Sequence, residues 1–263
     1  MTPILGRLGP YLIYSYTVFI GLGILAGLGL TAWRARQRPF PNWFDAALAA
    51  LLLGLIGGRI GFVLVNWGYF AERPSLIWRF GQGGLVYHGA LLGGLLGVWL
   101  WCVWRKRPFA PLADLFAPGL ALAYAFGWLA CWLAGCAYGR ETTLGPFALA
   151  APDEFGVFAV RYATQIMGLV WGTAVFLIVW LTARRWRPGQ LFWLTLALLS
   201  LGRAAISLLR GDPVPLLGEI RLDTLLDSAI ALFAVIMLLS YKADVYAGRE
   251  IFNAKAQRSK GAK

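Results

Sequence analysis

The chain has little charge for its length. Only 14% of its 263 residues are Asp, Glu, Lys or Arg, against about 25% in an average soluble domain. A soluble fold with so few charged groups would expose large apolar patches, which promote aggregation. A disordered chain is excluded too, because such chains are poor in aromatic residues, whereas 15% of this one is Phe, Trp or Tyr.

Cysteine and histidine are scarce as well. The three cysteines, Cys102, Cys131 and Cys136, are too few for a secreted disulfide scaffold. The single histidine, His88, leaves too few soft ligands for a zinc site, so no metal is expected. Acidic residues number 12 against 24 Lys and Arg. The net charge of +12 is high enough for a nucleic-acid binder, so the positions of the charges have to decide that class.

Seven apolar windows are long enough to cross a bilayer, which takes about 20 residues. Because lipid cannot satisfy backbone polar groups, these windows are expected to be helices. The first is expected to be a span rather than a cleaved signal peptide, since Arg34, Arg36 and Arg38 follow its long apolar run. The windows are 12–33, 44–66, 84–104, 115–136, 164–183, 190–209 and 222–241. The sequence thus predicts an all-α polytopic membrane protein with one seven-helix domain over residues 1–241.

The Lys and Arg residues are divided unequally between the two sets of connecting loops. One set contains Arg34, Arg36, Arg38, Arg105, Lys106, Arg107, Arg184, Arg185, Arg187, Lys242, Arg249, Lys255, Arg258, Lys260 and Lys263. The other set contains Arg7, Arg73, Arg79, Arg140, Arg161, Arg210 and Arg221. Cytoplasmic loops carry the excess of Lys and Arg, so the N-terminus is expected outside and the C-terminus in the cytoplasm. The orientation of the spans then accounts for the excess of positive charge, and no nucleic-acid partner is expected.

The parts of the chain outside the spans have distinct compositions. Residues 242–263 form a basic segment, which we expect to be a cytoplasmic tail. The loops 137–163 and 210–221 are rich in Gly and Pro and are expected to form a small cap on the outer face. No internal repeat is visible, which disfavours an inverted-repeat transporter.

Several polar side chains fall in the predicted outer halves of the spans, where ionisable residues are rare and usually functional. They are Tyr16, Arg59, His88, Gln165 and Arg203. Singly, each has an ordinary explanation: an arginine can reach the interface, a histidine can be hydrogen-bonded in a core, and a tyrosine can belong to the aromatic belt. Together they lack acidic partners, since Asp227 is the only obvious carboxylate at that depth. The set therefore predicts an anionic ligand, and Arg binds a phospholipid phosphate well.

Residues 81–94 contain six glycines around the single histidine. Glycine permits close approach of the backbone and leaves N–H groups available to a phosphate or head group. Helix packing is the alternative explanation for such glycines. The stretch supports a head-group site that includes Gly84 and Gly89.

Cys131 and Cys136 lie five residues apart near the end of the fourth window. On a continuous helix this spacing puts them about 140° apart around the axis, which is poor geometry for a disulfide. We therefore expect both to be small packing residues. A redox or nucleophilic role stays open, because both fall on the predicted outer side.

The motifs in these windows resemble those of the prolipoprotein diacylglyceryl transferase family, in order and over nearly the whole chain. The similar motifs are Gly58-Arg59-Ile60-Gly61, Gly83-Gly84-Leu85-Val86-Tyr87-His88-Gly89, Gly135 to Arg140, Thr164-Gln165, Gly202-Arg203 and Leu209-Arg210. The resemblance implies an enzyme of the bacterial plasma (inner) membrane. It would transfer a diacylglyceryl group from phosphatidylglycerol to the lipobox cysteine thiol of a preprolipoprotein, and glycerol phosphate would leave.

The resemblance also assigns roles to single residues. His88 matches the family's functional histidine, Arg203 its essential arginine near the phosphate, Tyr16 a functional tyrosine, and Gly139 the glycine that ends the signature of the fourth span. We expect His88, Arg203 and Tyr16 to be catalytic. The residues expected to bind substrate are Arg59, Gly84, Gly89, Gly139, Arg140, Gln165 and Arg210. The partners would be phosphatidylglycerol and a preprolipoprotein signal peptide; no cofactor is required, and a monomer is expected.

The chain departs from the family's pattern at its fourth span. The family signature has Arg, Asn and Glu where this chain has Trp128, Cys131 and Cys136. The family's His-Pro before Thr-Gln is Tyr162-Ala163 here, and the acid between the two arginines of the sixth span is Ser207. An alternative function is therefore a divergent outer-leaflet phospholipid-binding homologue with an altered lipid substrate or no catalysis.

Overall fold

The computed structural model describes residues 2–80, 83–143, 145–153 and 155–240. The basic tail predicted at 242–263 lies outside these residues. Seven of the helices are long and apolar enough to cross a membrane, so the protein is a multi-pass membrane protein and the prediction of seven spans is confirmed. The helices are α1 (Ser15–Gln37), α2 (Trp43–Val65), α3 (Trp67–Glu72), α4 (Tyr87–Arg105), α5 (Phe109–Ala134), α6 (Thr164–Thr182), α7 (Gln190–Ser207) and α8 (Leu222–Ser240). Helix α3 is a short connector; the other seven are the spans.

Glycines let the spans pack with their backbones in contact. A Cβ on Gly89 of α4 would collide with the carbonyl of Gly57 in α2. In the same way, a Cβ on Gly27 of α1 would lie 2.7 Å from the carbonyl oxygen of Gly119 in α5. Small residues at helix contacts are typical of membrane proteins, in which van der Waals packing drives helix association. Three of the glycines near His88, namely Gly89, Gly93 and Gly94, therefore serve the packing of α4 against α2.

Helix α7 lies at the centre of the bundle. In its apolar window 67% of the residues are buried, against 22% in α1, α2 and α8. Its first turn is held by Asp114 of α5, whose carboxylate accepts hydrogen bonds from the N–H of Gly189 (2.6 Å) and of Phe192 (2.8 Å). A carboxylate at a helix N-terminus satisfies free N–H groups and the helix dipole. The central helix is thus fixed to α5 at the end of the bundle where the basic loops lie.

The opposite end carries three small antiparallel hairpins. They are β1 (Ile4–Leu8) with β2 (Tyr11–Tyr14), β3 (Ala148–Pro152) with β4 (Phe158–Tyr162), and β5 (Leu216–Leu217) with β6 (Ile220–Arg221). The loops between α5 and α6 and between α7 and α8 are joined by a bridge between Gly139 and Arg210. We call this the hairpin end and the other the basic end. The two loops predicted to form a cap contact each other through this bridge, and each contains a short hairpin; the cap itself stays a prediction.

Cys131 and Cys136 form a disulfide, so the expectation that both are unpaired packing residues is wrong. That expectation assumed a continuous helix, but α5 ends at Ala134 and Gly135 takes a left-handed conformation (φ 82°). The N–H groups of Gly135 and Cys136 both donate to the carbonyl of Cys131, at 2.9 and 3.1 Å. This turn brings the Cα atoms of the cysteines to 4.7 Å, within the usual range of roughly 4.4–6.8 Å for a disulfide.

Candidate active site

A cavity of about 430 Å³ lies between α1, α4, α5 and α7 at the hairpin end. Apolar side chains of α1 and α5 line one part of it, among them Ile20, Ile24 and Leu120. Polar and aromatic side chains line the rest: Tyr16, Tyr87, Tyr124, Trp128, Arg203, Arg210 and Asp212, together with the Cys131–Cys136 disulfide. The cavity therefore combines apolar walls with a cationic group.

Asp227 of α8 connects the two most prominent predicted site residues. Its side chain is fully buried, with Oδ1 2.9 Å from Nε2 of His88 and Oδ2 3.0 Å from Nε of Arg203. The Arg203 contact lacks hydrogen-bond alignment and is an ion pair. A buried carboxylate is stable only when it is paired, so Asp227 fixes the relative positions of α4 and α7.

Arg203 is the member of this trio that reaches the cavity. Its guanidinium carbon lies 4.1 Å from the centre of the Tyr87 ring, a cation–π contact. Among the described residues, neither of its terminal nitrogens has a hydrogen-bond partner. Asp227 and Tyr87 thus hold the guanidinium in place while donors remain free for an anion in the cavity.

His88 and Tyr16 occupy different places relative to the cavity. His88 is buried at 5% exposure, and in the described part of the chain it is not among the lining side chains; the preceding residue, Tyr87, is. Tyr16 lines the cavity near the start of α1 and is 44% exposed. The structure therefore brings His88 to Arg203 through Asp227 and puts Tyr16 directly at the cavity.

Arg210 also lies in the cavity wall, but carboxylates occupy its nitrogens. Its Nε is 2.8 Å from Oδ1 of Asp212, its Nη1 is 3.0 Å from Oδ2 of Asp223, and its Nη2 contacts Asp212 as well. Arg221 joins the same two aspartates, with Nε 3.2 Å from Oδ1 of Asp223. Two arginines and two aspartates thus form a neutral network that ties the α7–α8 loop together. The sequence indicated Asp227 as the only obvious carboxylate at this depth, and so Asp212 and Asp223 were overlooked.

Arg59 is held by backbone carbonyls rather than facing the cavity. Its guanidinium donates to the carbonyl oxygens of Leu76 (2.7 Å), Ile77 (2.8 Å), Gly83 (2.8 Å) and Gly84 (3.2 Å). The rings of three phenylalanines surround it at 5.4 to 5.7 Å. These contacts shape the segment that leads into α4. The expectation that Arg59 has no partner except an anionic ligand or an acidic side chain is wrong, because four backbone carbonyl oxygens accept its hydrogen bonds.

The other predicted binding residues support the walls. Gly84 has a positive φ of 80° and gives its carbonyl to Arg59, and Gly89 packs α4 on α2. Gln165 is buried and donates to the carbonyl of Cys136 at 3.0 Å. Gly139 pairs with Arg210, and a Cβ there would collide with the backbone of Tyr162. Arg140 is exposed, and its guanidinium carbon lies 5.7 Å from the centre of the Tyr162 ring, outside the cavity.

Some lining residues had no strong signal in the sequence. Tyr87 and Tyr124 are aromatic residues inside spans, where such residues are common, yet their rings pack 6.3 Å apart beside Arg203. Trp128 continues this row, with its ring 6.2 Å from that of Tyr124. The repeat of Tyr124 and Trp128 at a spacing of four, one helical turn, was the signal available. Within the described ranges, no group of three or more His, Cys, Asp or Glu side chains could hold a metal ion.

Fold and cavity together define a multi-pass membrane protein whose cavity joins apolar walls to an arginine with free donors. The model of the prolipoprotein diacylglyceryl transferase family matches residues 3–240, and the chain belongs to this family. A phosphatidylglycerol–prolipoprotein diacylglyceryl transferase 2 of Clostridium perfringens is 36% identical over 217 residues, which are 81% of this chain and 85% of that protein. A phosphatidylglycerol–prolipoprotein diacylglyceryl transferase of Corynebacterium efficiens is 35% identical over 254 residues, covering 88% of this chain and 79% of that protein.

Proposed function

We propose that the protein transfers a diacylglyceryl group from phosphatidylglycerol to the cysteine thiol of a prolipoprotein, in lipoprotein biosynthesis. The observation that carries the proposal is Arg203, whose guanidinium lies in the cavity wall, fixed by Asp227 and Tyr87. Membership of the family and the names of the relatives point to the same reaction.

Arg203 would bind the phosphate of the lipid. A guanidinium matches a phosphate with two parallel hydrogen bonds, and free donors in a water-poor site stabilise charge more strongly than in water. Asp227 contacts Arg203 only at Nε. An anion can therefore approach the terminal nitrogens of the guanidinium from the cavity. Tyr16, in the same cavity, would donate a hydrogen bond from its hydroxyl to the lipid or the thiol.

The apolar walls would take the glyceride part of the lipid. Tyr16 and Ile24 both line the cavity and are eight residues apart on α1, a rise of about 12 Å. The cavity thus extends from the polar residues towards the middle of the spans, as an acyl chain does when its head group stays near the surface. This arrangement fits a lipid better than a water-soluble phosphate.

In the reaction, the thiol loses its proton and the sulfur forms a bond to the glyceryl carbon that carries the phosphate. The bond between that carbon and the phosphate oxygen breaks, and glycerol phosphate leaves and takes up a proton. A thiol with a pKa near 8.5 needs only modest help to ionise. Arg203 would stabilise the charge that develops on the leaving phosphate. His88 would act through Asp227, by keeping Arg203 oriented.

The proposal includes the location and orientation of the protein. The excess of Lys and Arg at the basic end favours a cytoplasmic position for that end, in the plasma membrane of a bacterium. The cavity at the hairpin end would then open at the outer leaflet, where a prolipoprotein signal peptide arrives. A monomer is sufficient for this function, because one chain supplies every residue of the proposed site.

The test is a transfer assay with purified protein, phosphatidylglycerol and a lipobox peptide, read by mass spectrometry. The expected result is a peptide whose mass has increased by one diacylglyceryl group. A peptide with Ser in place of its cysteine is the matched control and should gain nothing. Phosphatidylcholine should be a poor donor, because its head group carries no net charge.

A specific observation favours a second candidate, a lipid-binding homologue without catalysis. Trp128 and the two cysteines of the disulfide occupy positions where the family has polar and charged residues. All three of these residues line the cavity. Binding of phosphatidylglycerol without any gain in peptide mass, for several lipids, would favour this candidate and contradict the transferase.

A further inference from the structure

A second polar cavity lies at the basic end, far from the candidate active site. It has a volume of about 320 Å³, and its walls include Trp33, Arg34, Gln37, Arg38, Trp180 and Arg184. We call it the basic cavity. Tyr16 and Arg34 are 18 residues apart on α1, so the two cavities are separated by about 27 Å along that helix.

The three arginines of the basic cavity have one acid near them, Asp114, whose charge acts on Arg34 and Arg38. None of them forms a salt bridge with any residue in the described ranges. Nε of Arg34 is buried and lacks a hydrogen-bond partner there. The oxygens of Asp114 accept the N–H groups of Gly189 and Phe192, and its single negative charge offsets only part of the positive charge of the three arginines.

Three arginines beside a single carboxylate keep an excess of positive charge, which is electrostatically unfavourable unless a further anion joins them. Like charges in one cavity repel each other, and a buried guanidinium nitrogen without a partner loses the energy of a hydrogen bond. Water can serve the exposed parts of Arg38 and Arg184, but Nε of Arg34 is closed off from it. The cluster therefore favours a ligand with several anionic oxygens, which a phosphate group has.

The surroundings of the cavity favour a lipid as the source of that phosphate. The cavity lies where α1 and α6 end, and the Trp33 and Trp180 rings pack 5.1 Å apart in its wall. Trp is typical of the membrane interface. Leu181, also in the wall, is 74% exposed, and Trp33 is 46% exposed, so the cavity borders the lipid-facing surface. Basic pockets between spans on the cytoplasmic side are known to bind anionic head groups.

We propose that the basic cavity binds the phosphate of an anionic phospholipid from the leaflet at the basic end of the bundle. The site is separate from the proposed transferase site and goes beyond that function. Arg34, Arg38 and Arg184 bind the phosphate, and the two tryptophans pack against the glycerol region. The bound lipid holds the ends of α1 and α6 together.

The experiment counts lipids bound to the purified full chain by native mass spectrometry. The protein, in a zwitterionic detergent, is titrated with phosphatidylglycerol and, separately, with phosphatidylcholine. The wild type should bind two molecules of phosphatidylglycerol in preference to phosphatidylcholine. Arg34→Ala with Arg184→Ala should weaken one of the two sites by about tenfold or more, because charge-assisted hydrogen bonds are lost.

Two further variants make the result specific. Arg36→Ala with Arg185→Ala removes the same charge from neighbouring exposed positions outside the cavity wall and should leave both sites intact. Arg203→Ala should weaken the other site only, so a failure of the transferase site and a failure of the basic cavity are distinguishable. Arg184→Ala alone, at an exposed residue, gives a second reading if the double variant does not fold.

Three outcomes would overturn the proposal. Equal weakening by the two pairs would mean that surface charge alone attracts lipid. Unchanged binding in the Arg34/Arg184 pair would mean that the cavity holds no lipid. Binding of inorganic phosphate alone, lost on the same two substitutions and displacing phosphatidylglycerol, would assign the cavity to a soluble anion.

Discussion

The arginines at the two ends of the bundle differ in their hydrogen-bond and ion-pair partners. At the hairpin end, Arg59 donates to four carbonyls, and Arg210 binds two aspartates. At the basic end, Arg38 and Arg184 are exposed and form no ion pair within the described ranges. A charge inside the bundle needs partners, because desolvation costs several kcal/mol or more, whereas a charge at a span end can reach water.

This difference shows which arginine to regard as functional. At the hairpin end, the guanidinium groups of Arg59 and Arg210 are paired within the protein, whereas Arg203 keeps donors towards a cavity. Burial alone therefore does not mark a binding residue. A cation that is held in a cavity wall with free donors does, because the protein has already oriented it for an anion.

The largest effect is expected for Arg203. Replacing it by alanine removes the guanidinium that would hold the phosphate, and turnover should fall by about 100-fold or more. Arg203→Lys should also be poor, since an ammonium group cannot form the two parallel bonds of a guanidinium. The measurement is the initial rate of peptide diacylglyceryl transfer.

Arg73→Ala is the matched control for that measurement. Arg73 is an exposed arginine at the same end of the bundle and packs on Tyr69, away from the cavity. The control should keep near wild-type turnover. If Arg203→Ala retained activity within tenfold of the wild type, Arg203 would not be the phosphate ligand, and the contrast with Arg59 would lose its functional meaning.

Arg59 should behave in the opposite way, as a residue of stability. Arg59→Met keeps an unbranched side chain but removes the donor to four carbonyls, and the free energy of unfolding should fall by about 3 kcal/mol. For a chain of this size that corresponds to a Tm lower by about 6–12 °C. Arg79→Met, at an exposed position of the same loop, should change the Tm little. A stable Arg59→Met protein without activity would show instead that Arg59 binds substrate.

The fold was largely predictable from the sequence, because a membrane span has a simple physical signature. About 20 consecutive apolar residues suffice to identify it, and each of the seven predicted windows overlaps one long helix. The ends were less accurate. Helix α4 begins at Tyr87 rather than at residue 84, because Gly83 and Gly84 have positive φ angles that an α-helix does not accommodate.

The candidate site was only partly predictable, because the conformation of the loops decides which side chains pair with each other. The sequence indicated Arg203, Tyr16 and His88, and it named Asp227 as an acid at the same depth. It did not reveal that Asp212 and Asp223 neutralise Arg210, since loop conformation decides that contact. It missed the disulfide for the same reason, because a left-handed residue ended the helix between the cysteines.

The role of His88 can be separated from that of a proton carrier. Because His88 contacts Asp227 and not the cavity, His88→Ala should lower kcat by about 10- to 150-fold, the equivalent of one charge-assisted hydrogen bond. His88→Gln should recover part of that loss, since an amide N–H can still donate to Asp227. The combination of His88→Ala with Asp227→Asn should be no worse than Asp227→Asn alone.

The opposite pattern would return His88 to a catalytic role. If His88 itself carried the proton, His88→Gln would be as inactive as His88→Ala, because glutamine does not titrate. The double variant would then lose more activity than either single variant. Kinetics of the four proteins, measured as kcat and KM separately, distinguish the two cases.

The smallest effect concerns the cysteines, which also differ between the two ends. The disulfide lies at the hairpin end, whereas the free Cys102 is buried at the basic end. Disulfides persist in oxidising compartments, so this distribution agrees with the predicted outward position of the hairpin end. The bond closes a short loop, from residue 131 to residue 136, so it should contribute about 2 kcal/mol.

Cys131→Ser with Cys136→Ser should therefore lower the Tm by about 4–8 °C, and a reducing agent should do the same to the wild type. Cys102→Ala is the matched control: its Tm should still respond to the reductant, because its disulfide is intact, whereas the double serine variant should no longer respond. Thiol titration of the unreduced, denatured wild type should find one free thiol. Three free thiols, with no effect of the reductant, would mean that the bond does not form in the membrane. The two ends would then differ in the partners of their arginines and not in their thiol chemistry.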